Sequence, residues 1–134
     1  IAGSVILGIV ADSIGQKKTI MITLVMWLIT VLIAFLVQDK NGFYVVGLIA
    51  GAAMGSSQST SRSLMSKLTP PEKKTEFFGF YSLFGKSSAV IGPLVFGLVS
   101  FISGDQRLAI ISIGFFFVVG LIILTQVKDP DYAK

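Results

Sequence analysis

The chain has 134 residues, of which 53% are hydrophobic and 13% charged, and its net charge is +4. Average soluble proteins carry roughly 25% charged residues, so this composition excludes an ordinary soluble domain and predicts an all-α membrane protein with several spans. The sequence contains no Cys and no His, which excludes disulfides, Cys/His zinc sites and imidazole proton relays. The charge is spread over loops, so we expect it to reflect membrane orientation rather than nucleic-acid binding.

Uncharged apolar runs predict the membrane-spanning helices. A span needs about 20 apolar residues, and the runs at 19–37 and 108–127 reach that length. The first apolar stretch is shorter and is interpreted as the end of a truncated helix, so we expect a C-terminal piece of a longer protein. The pattern Thr69-Pro-Pro-Glu72 predicts a capping box that starts the fourth helix near Pro70. The predicted spans are 1–11 (partial), 19–37, 43–66, 77–102 and 107–127.

Basic residues in the loops predict the orientation of these spans. The loops of one side carry only Lys40 and Arg107, whereas those of the other side carry Lys17, Lys18, Lys67, Lys73, Lys74, Lys128 and Lys134. Cytoplasmic loops are enriched in Lys and Arg. We therefore expect a multi-pass protein of the cell (inner) membrane with a cytoplasmic C-terminus.

A polar run lies inside the third predicted span. Ser56 to Ser63 are eight consecutive polar residues, and an unpaired polar group in hydrocarbon costs several kcal/mol. They are therefore expected to face protein or a water-filled cavity, and such clusters tend to mark substrate or ion pathways. At about 100° per residue, one face of this helix collects Gly47, Gly51, Gly55, Gln58 and Arg62.

We interpret this face as the lining of a cavity. Gln58, Arg62 and the neighbouring Ser59 are the candidate substrate-contacting residues, while Gly51 and Gly55 would make room by close helix contact or gating. Three alternatives stay open: small-residue helix contacts for the glycines, an interhelical hydrogen bond for Gln58, and snorkelling of Arg62 toward the membrane surface.

The fourth predicted span has a stripe of small residues that contains one cation. The stripe consists of Gly79, Ser82, Lys86, Ala89, Pro93, Gly97 and Ser100, and aromatic residues are expected on the opposite side at Phe77, Phe80, Tyr81 and Phe84. Gly92-Pro93 predicts a bend, either part of gating or static. Lys86 lies near the predicted membrane centre, so we expect a carboxylate partner outside this chain or on a substrate. A static ion pair is the alternative.

The turn after the first apolar stretch carries a spaced motif of Gly8, Asp12, Gly15, Lys17 and Lys18. Gly8 would allow close helix approach, Gly15 a tight turn, and Asp12 a position at a neighbouring helix N-terminus. The motif resembles the signature cytoplasmic loop of the major facilitator superfamily, although Gln16 stands where the family usually has Arg. A plain loop with glycines is the alternative.

Two longer stretches, 55–72 and 77–93, resemble the vacuolar amino-acid effluxer-like branch of that superfamily. The resemblance covers essentially the whole chain and implies partial helix eight plus helices nine to twelve of a twelve-helix fold. It implies that the third span is helix ten, which lines the central cavity, and that the fourth is helix eleven, at the interface between halves. The implied partners are a small-molecule substrate, the lipid bilayer and the remaining N-terminal helices.

The predicted function is secondary active transport of small solutes, with amino acids as the leading substrate class, by alternating access. A non-transporting membrane scaffold or sensor that retains the fold is the alternative. No Asp or Glu lies within the predicted spans, so the titrating acid of any proton coupling would lie outside this chain. No nucleotide-binding loop, catalytic triad or metal cluster is recognisable, so we expect neither an enzyme nor a cofactor.

Overall fold

The computed structural model describes residues 2–128, and its regular elements are helices. Five α-helices and one 3₁₀ turn follow each other along this part of the chain. They are α1 (Ala2–Ile14), α2 (Gln16–Leu36), α3 (Lys40–Leu68), the 3₁₀ turn (Pro71–Lys73), α4 (Lys74–Ser103) and α5 (Gln106–Gln126). The predicted all-α membrane fold is confirmed.

Three stretches have the length and composition of membrane-crossing helices: 16–36, 71–103 and 106–126. α1, with 13 residues, is too short. α3 has 29 residues and is long enough to cross a membrane, but its polar run makes it less apolar than the other three stretches. The predicted span 43–66 is therefore helical along its length, and its passage through the bilayer stays a prediction.

Local chemistry explains most helix ends. Gly15 joins α1 to α2 with φ 96°, a backbone conformation that favours glycine, and this is the tight turn that the motif predicts. Gly104 ends α4 in the left-handed conformation, and its N–H donates to the carbonyl of Ser100. Asp105 caps α5 because its side chain accepts a hydrogen bond from the Arg107 N–H at 2.8 Å.

The capping box predicted at Thr69-Pro-Pro-Glu72 is wrong. The Thr69 hydroxyl donates to the Met65 carbonyl at 2.7 Å, so it terminates α3 rather than starting α4. Threonine can bond back to the carbonyl four residues earlier, and the residue before a proline disfavours helical backbone. A 3₁₀ turn without a side-chain cap follows, and α4 begins at Lys74.

α2 and α5 form an antiparallel pair. Trp27 and Phe117 stack with ring centroids 5.2 Å apart, and a methyl group at Gly114 would lie 3.1 Å from Val31. At one end the Arg107 guanidinium donates to the carbonyls of Phe35 (2.8 Å) and Val37 (3.2 Å). These contacts hold the two helices in register over their whole length.

The remaining helices are arranged around this pair. α3 packs along α2 and α1, while α4 packs against α5 rather than along α3. The end of the bundle that carries the starts of α2 and α4 and the ends of α1, α3 and α5 is called the Lys17 end, and the opposite one the Arg107 end. Within residues 2–128 the Lys17 end collects Lys17, Lys18, Lys67, Lys73, Lys74 and Lys128. Lys134 lies outside the described residues.

Candidate functional site

A cleft of about 510 Å³ opens between α3 and α4. It is called the α3–α4 cleft. α3 contributes Gln58 and Arg62, and α4 contributes Tyr81, Ser82, Phe84, Gly85, Lys86 and Ser88. Three of the four residues that the sequence predicts as cavity lining, Gln58, Arg62 and Lys86, therefore meet at one place although they come from two helices.

The polar run of α3 divides into two faces, which explains why a helix tolerates so many polar residues in sequence. Ser56 and Thr60, one turn apart, are buried in the bundle with 1% and 4% of their surface exposed. Gln58, Ser59 and Arg62 are exposed on another side. Residues three or four apart share a helix face, so the run supplies helix contact on one side and an open polar wall on the other.

Ser59 lies on this open wall but outside the α3–α4 cleft. A second groove of about 440 Å³ is lined by Gly55, Gln58, Ser59 and Arg62. Because Gln58 and Arg62 line both spaces, the groove and the cleft share a wall. The predicted cavity lining is thus spread over two spaces that share the same α3 side chains.

Gln58, Arg62 and Lys86 lie at different distances along their helices from the Lys17 end. Arg62 is six residues before the end of α3 at Leu68, which is roughly 9 Å at 1.5 Å per residue. Gln58 lies roughly 15 Å from that end by the same rise. Lys86 is twelve residues into α4, or roughly 18 Å. Counted along the helices from the Lys17 end, the order is Arg62, Gln58, Lys86.

The cleft is electropositive. Its described lining contains two cations, Arg62 and Lys86, and no carboxylate. Both side chains are exposed, and no hydrogen bond or ion pair engages either of them within residues 2–128. The Ser88 hydroxyl is occupied, because it donates to the Phe84 carbonyl at 2.8 Å. Within residues 2–128, the cleft therefore holds two cations that no described acidic side chain neutralises.

The predicted separation of small and aromatic residues on α4 is wrong for two aromatics. Tyr81 and Phe84 line the same cleft as Ser82 and Lys86. The reason is that α4 packs against α5 and has no buried residue, so the wall it presents to the cleft is wider than the small-residue stripe. Sequence reasoning missed Tyr81 as a lining residue, because the helical pattern groups it with the aromatic residues on the other side.

The predicted packing and gating residues have different surroundings. A methyl group at Gly55 would lie 3.0 Å from the Ser4 side chain of α1, whereas Gly51 has no described atom within 4 Å of that position. Gly92 lines a cavity of about 350 Å³ with Ser88, Ile91 and Phe116. α4 continues through Pro93 to Ser103, and proline leaves the carbonyl four residues earlier without its helical donor. Gating by these residues stays a prediction.

α1 approaches α3 closely at Gly3, where a methyl group would lie 2.5 Å from the Ala52 side chain. At Gly8, where the motif predicts close helix approach, no described atom lies within 4 Å of such a group. Close approach of a helix at Gly8 therefore stays a prediction.

The remaining motif residues lie at the Lys17 end. Asp12, Gly15 and Lys18 line a cavity of about 520 Å³ together with Lys67 from α3. Lys17 points elsewhere, because its ammonium group donates to the Val127 carbonyl at 2.6 Å and to the Thr125 carbonyl at 3.4 Å. The loop thus connects α2 to the end of α5 and borders a polar cavity.

The family model described as "Vacuole effluxer Atg22 like" matches residues 1–130. The chain belongs to this family, a branch of the major facilitator superfamily. The resemblance predicted from the loop motif and the stretches 55–72 and 77–93 is therefore confirmed. No solved structure matches the chain.

Individual relatives of the Atg22-like chain are bacterial and fungal. It is 30% identical over 126 residues to the uncharacterized MFS-type transporter YxiO of Bacillus subtilis, covering 94% of this chain and 29% of the relative. It is 32% identical over 111 residues to autophagy-related protein 22 of Pichia angusta (74% and 20%). The Kluyveromyces lactis protein of that name is 34% identical over 84 residues (63% and 17%). The chain spans less than a third of the length of these relatives.

Proposed function

We propose that the full-length protein is a secondary active transporter of small solutes, and that this chain supplies one wall of its solute path. The observation that carries the proposal is the meeting of Gln58, Arg62 and Lys86 at one cleft. A Lys or Arg at the centre of a membrane helix costs about 2.5–3.5 kcal/mol on insertion scales. A helix that only anchors a protein gains nothing from a cation that makes its insertion less favourable.

Alternating access is the proposed mechanism. Major-facilitator transporters move one half of the molecule against the other around a site near the bilayer midplane. α4 is suited to the moving interface, because none of its residues is buried within the described part. Its exposed apolar side chains, among them Leu94, Leu98 and Phe101, need lipid or further helices around them. We infer that helices outside this chain complete the path on that side.

The surroundings proposed for the protein follow from its charges and its relatives. The six described lysines of the Lys17 end favour a cytoplasmic position of that end by the positive-inside rule, in a multi-pass protein of the cell membrane. Because the relatives are named as transporters or effluxers, we propose transport without catalysis or cofactor. Amino acids are the leading solute class by the family resemblance.

Transport by the reconstituted full-length protein tests this function. Purified protein in liposomes would be offered a panel of labelled solutes, namely neutral, acidic and basic amino acids, small carboxylates and sugars, under a proton or sodium gradient. Accumulation above protein-free liposomes of at least one solute supports transport. Monodisperse, stable protein that moves none of the panel under either gradient supports the non-transporting scaffold or sensor instead.

A further inference from the structure

The charged residues that line the α3–α4 cleft are all cationic. Arg62 and Lys86 both line it, and the described lining contributes no acidic side chain. Neither cation has a hydrogen-bond or ion-pair partner within residues 2–128. Two like charges that line one space repel each other. An anion bound between them would offset this repulsion.

The neutral lining offers further donors to the same anion. The Gln58 amide, the Tyr81 phenol and the Ser82 hydroxyl all line the cleft, and each can donate a hydrogen bond to a carboxylate oxygen. Arginine can bind a carboxylate through two parallel N–H groups, while lysine acts as a compact point charge. The lining thus holds both charge and directed donors for a carboxylate.

The two cations lie at different distances along their helices from the Lys17 end. Arg62 lies roughly 9 Å and Lys86 roughly 18 Å from that end, and Gln58 lies between them. An anion that moves along the cleft would therefore have a charged or polar partner at each of these levels.

We propose that the α3–α4 cleft binds small solutes with a net negative charge through their carboxylates, in preference to zwitterionic and cationic solutes. This assignment rests on the proposed transport function, because it names the solute class of the same path. The volume of about 510 Å³ falls within the range of pockets for small ligands. Arg62 and Lys86 would hold the anion at two levels of the cleft.

The experiment uses the full-length protein in liposomes and in detergent, with four probes: succinate, glutamate, leucine and lysine. Uptake of each labelled probe and the shift of Tm at saturating probe would be measured for wild-type protein and for Lys86→Met, Lys86→Arg and Arg62→Gln. Lys40→Met is the matched control, because Lys40 is exposed at the Arg107 end and lines neither space. If Lys86→Met does not fold, Arg62→Gln supplies the same comparison.

The expected result is uptake of succinate and glutamate well above that of leucine and lysine. Loss of either cation should lower anion uptake and binding by about tenfold or more, since hydrogen bonds to charged groups are among the stronger ones. Lys86→Arg should keep most of the binding, and Lys40→Met should behave as wild type.

Two further outcomes separate this assignment from the transport function. Leucine or lysine uptake without anion uptake would overturn the anionic solute class and leave transport standing. A Tm shift by succinate that disappears in Lys86→Met and Arg62→Gln, without uptake of any probe, would keep the anion site and count against transport. Neither uptake nor a Tm shift with the anions would overturn the site, and Lys86 would then be neutralised by a carboxylate of another helix.

Discussion

Lys17 and Val127 lie 110 residues apart in the sequence and are joined by a hydrogen bond of 2.6 Å from the lysine ammonium to the backbone carbonyl. At the opposite end of the same helix pair, Arg107 donates to the carbonyls of Phe35 and Val37. The first turn of α2 thus caps the end of α5, and the first turn of α5 caps the end of α2. Cations are favourable beside helix C-termini, so the two caps stabilise the antiparallel pair at both of its ends.

The first prediction concerns the cap at the Arg107 end. Arg107→Met should lower the free energy of unfolding by about 1.5–3 kcal/mol, the usual range for hydrogen bonds to charged groups, because the carbonyls of Phe35 and Val37 at the end of α2 lose their donor. Thermal unfolding of the purified full-length protein in detergent measures the change as a lower Tm. Lys40→Met removes an exposed cation at the same end and is the control. Equal Tm values for the two variants would contradict the cap.

The second prediction compares two glycines of α1. Gly3→Ala places a methyl group 2.5 Å from the Ala52 side chain, and such overpacking costs roughly 1–3 kcal/mol. Gly8→Ala meets no described atom within 4 Å, so it should be neutral or slightly stabilising, as alanine is in a helix interior. The Tm values of the two variants provide the measurement. A Gly8 variant that is the less stable of the two would show that α1 is packed differently from the arrangement described.

The third prediction concerns the α3 wall of the cleft. Gln58→Ala removes an exposed amide from the lining and should lower the rate of solute uptake about fivefold through the loss of one hydrogen bond, with normal expression. Initial rates in liposomes measure the effect. Gln38→Ala, an exposed amide between α2 and α3, is the control. Wild-type rates in both Gln58→Ala and Arg62→Ala would assign these side chains to helix contact and snorkelling.

Local features of this chain could be predicted from the sequence, whereas contacts between distant residues could not. The apolar runs predict α2 and α5, and the spacing of Gln58 and Arg62 predicts one polar face, because both depend on helix periodicity alone. The turn at Gly15 follows from the motif for the same reason. Thr69 was assigned to the wrong helix because its hydroxyl can bond either forward or backward, and only the fold decides which carbonyl or N–H is available.

The caps show the same limit. The sequence predicts Lys17 as a residue of the signature loop motif and Arg107 as a loop charge, and it predicts neither as a helix cap. Their acceptors lie 110 and 72 residues away, and no local pattern identifies them. The position of Tyr81 and Phe84 in the cleft likewise depends on which side of α4 meets α5. The convergence of Lys86 with Gln58 and Arg62 needed the placement of α4 beside α3, which the separate helical patterns do not contain.

The last prediction is the membrane orientation. Thr75 follows directly after the first residue of α4 at the Lys17 end, and Asn41 lies in the first turn of α3 at the Arg107 end; both are exposed. The six described lysines of the Lys17 end favour the cytoplasmic side, so a membrane-impermeant thiol reagent added to intact cells should label Asn41→Cys and spare Thr75→Cys.

The chain contains no native cysteine; cysteines elsewhere in the full-length protein would first be replaced by serine. Permeabilised cells, in which both positions should react, are the control for accessibility. Labelling of Thr75→Cys but not of Asn41→Cys in intact cells would reverse the orientation, and the Lys17 end of the bundle would then face outward.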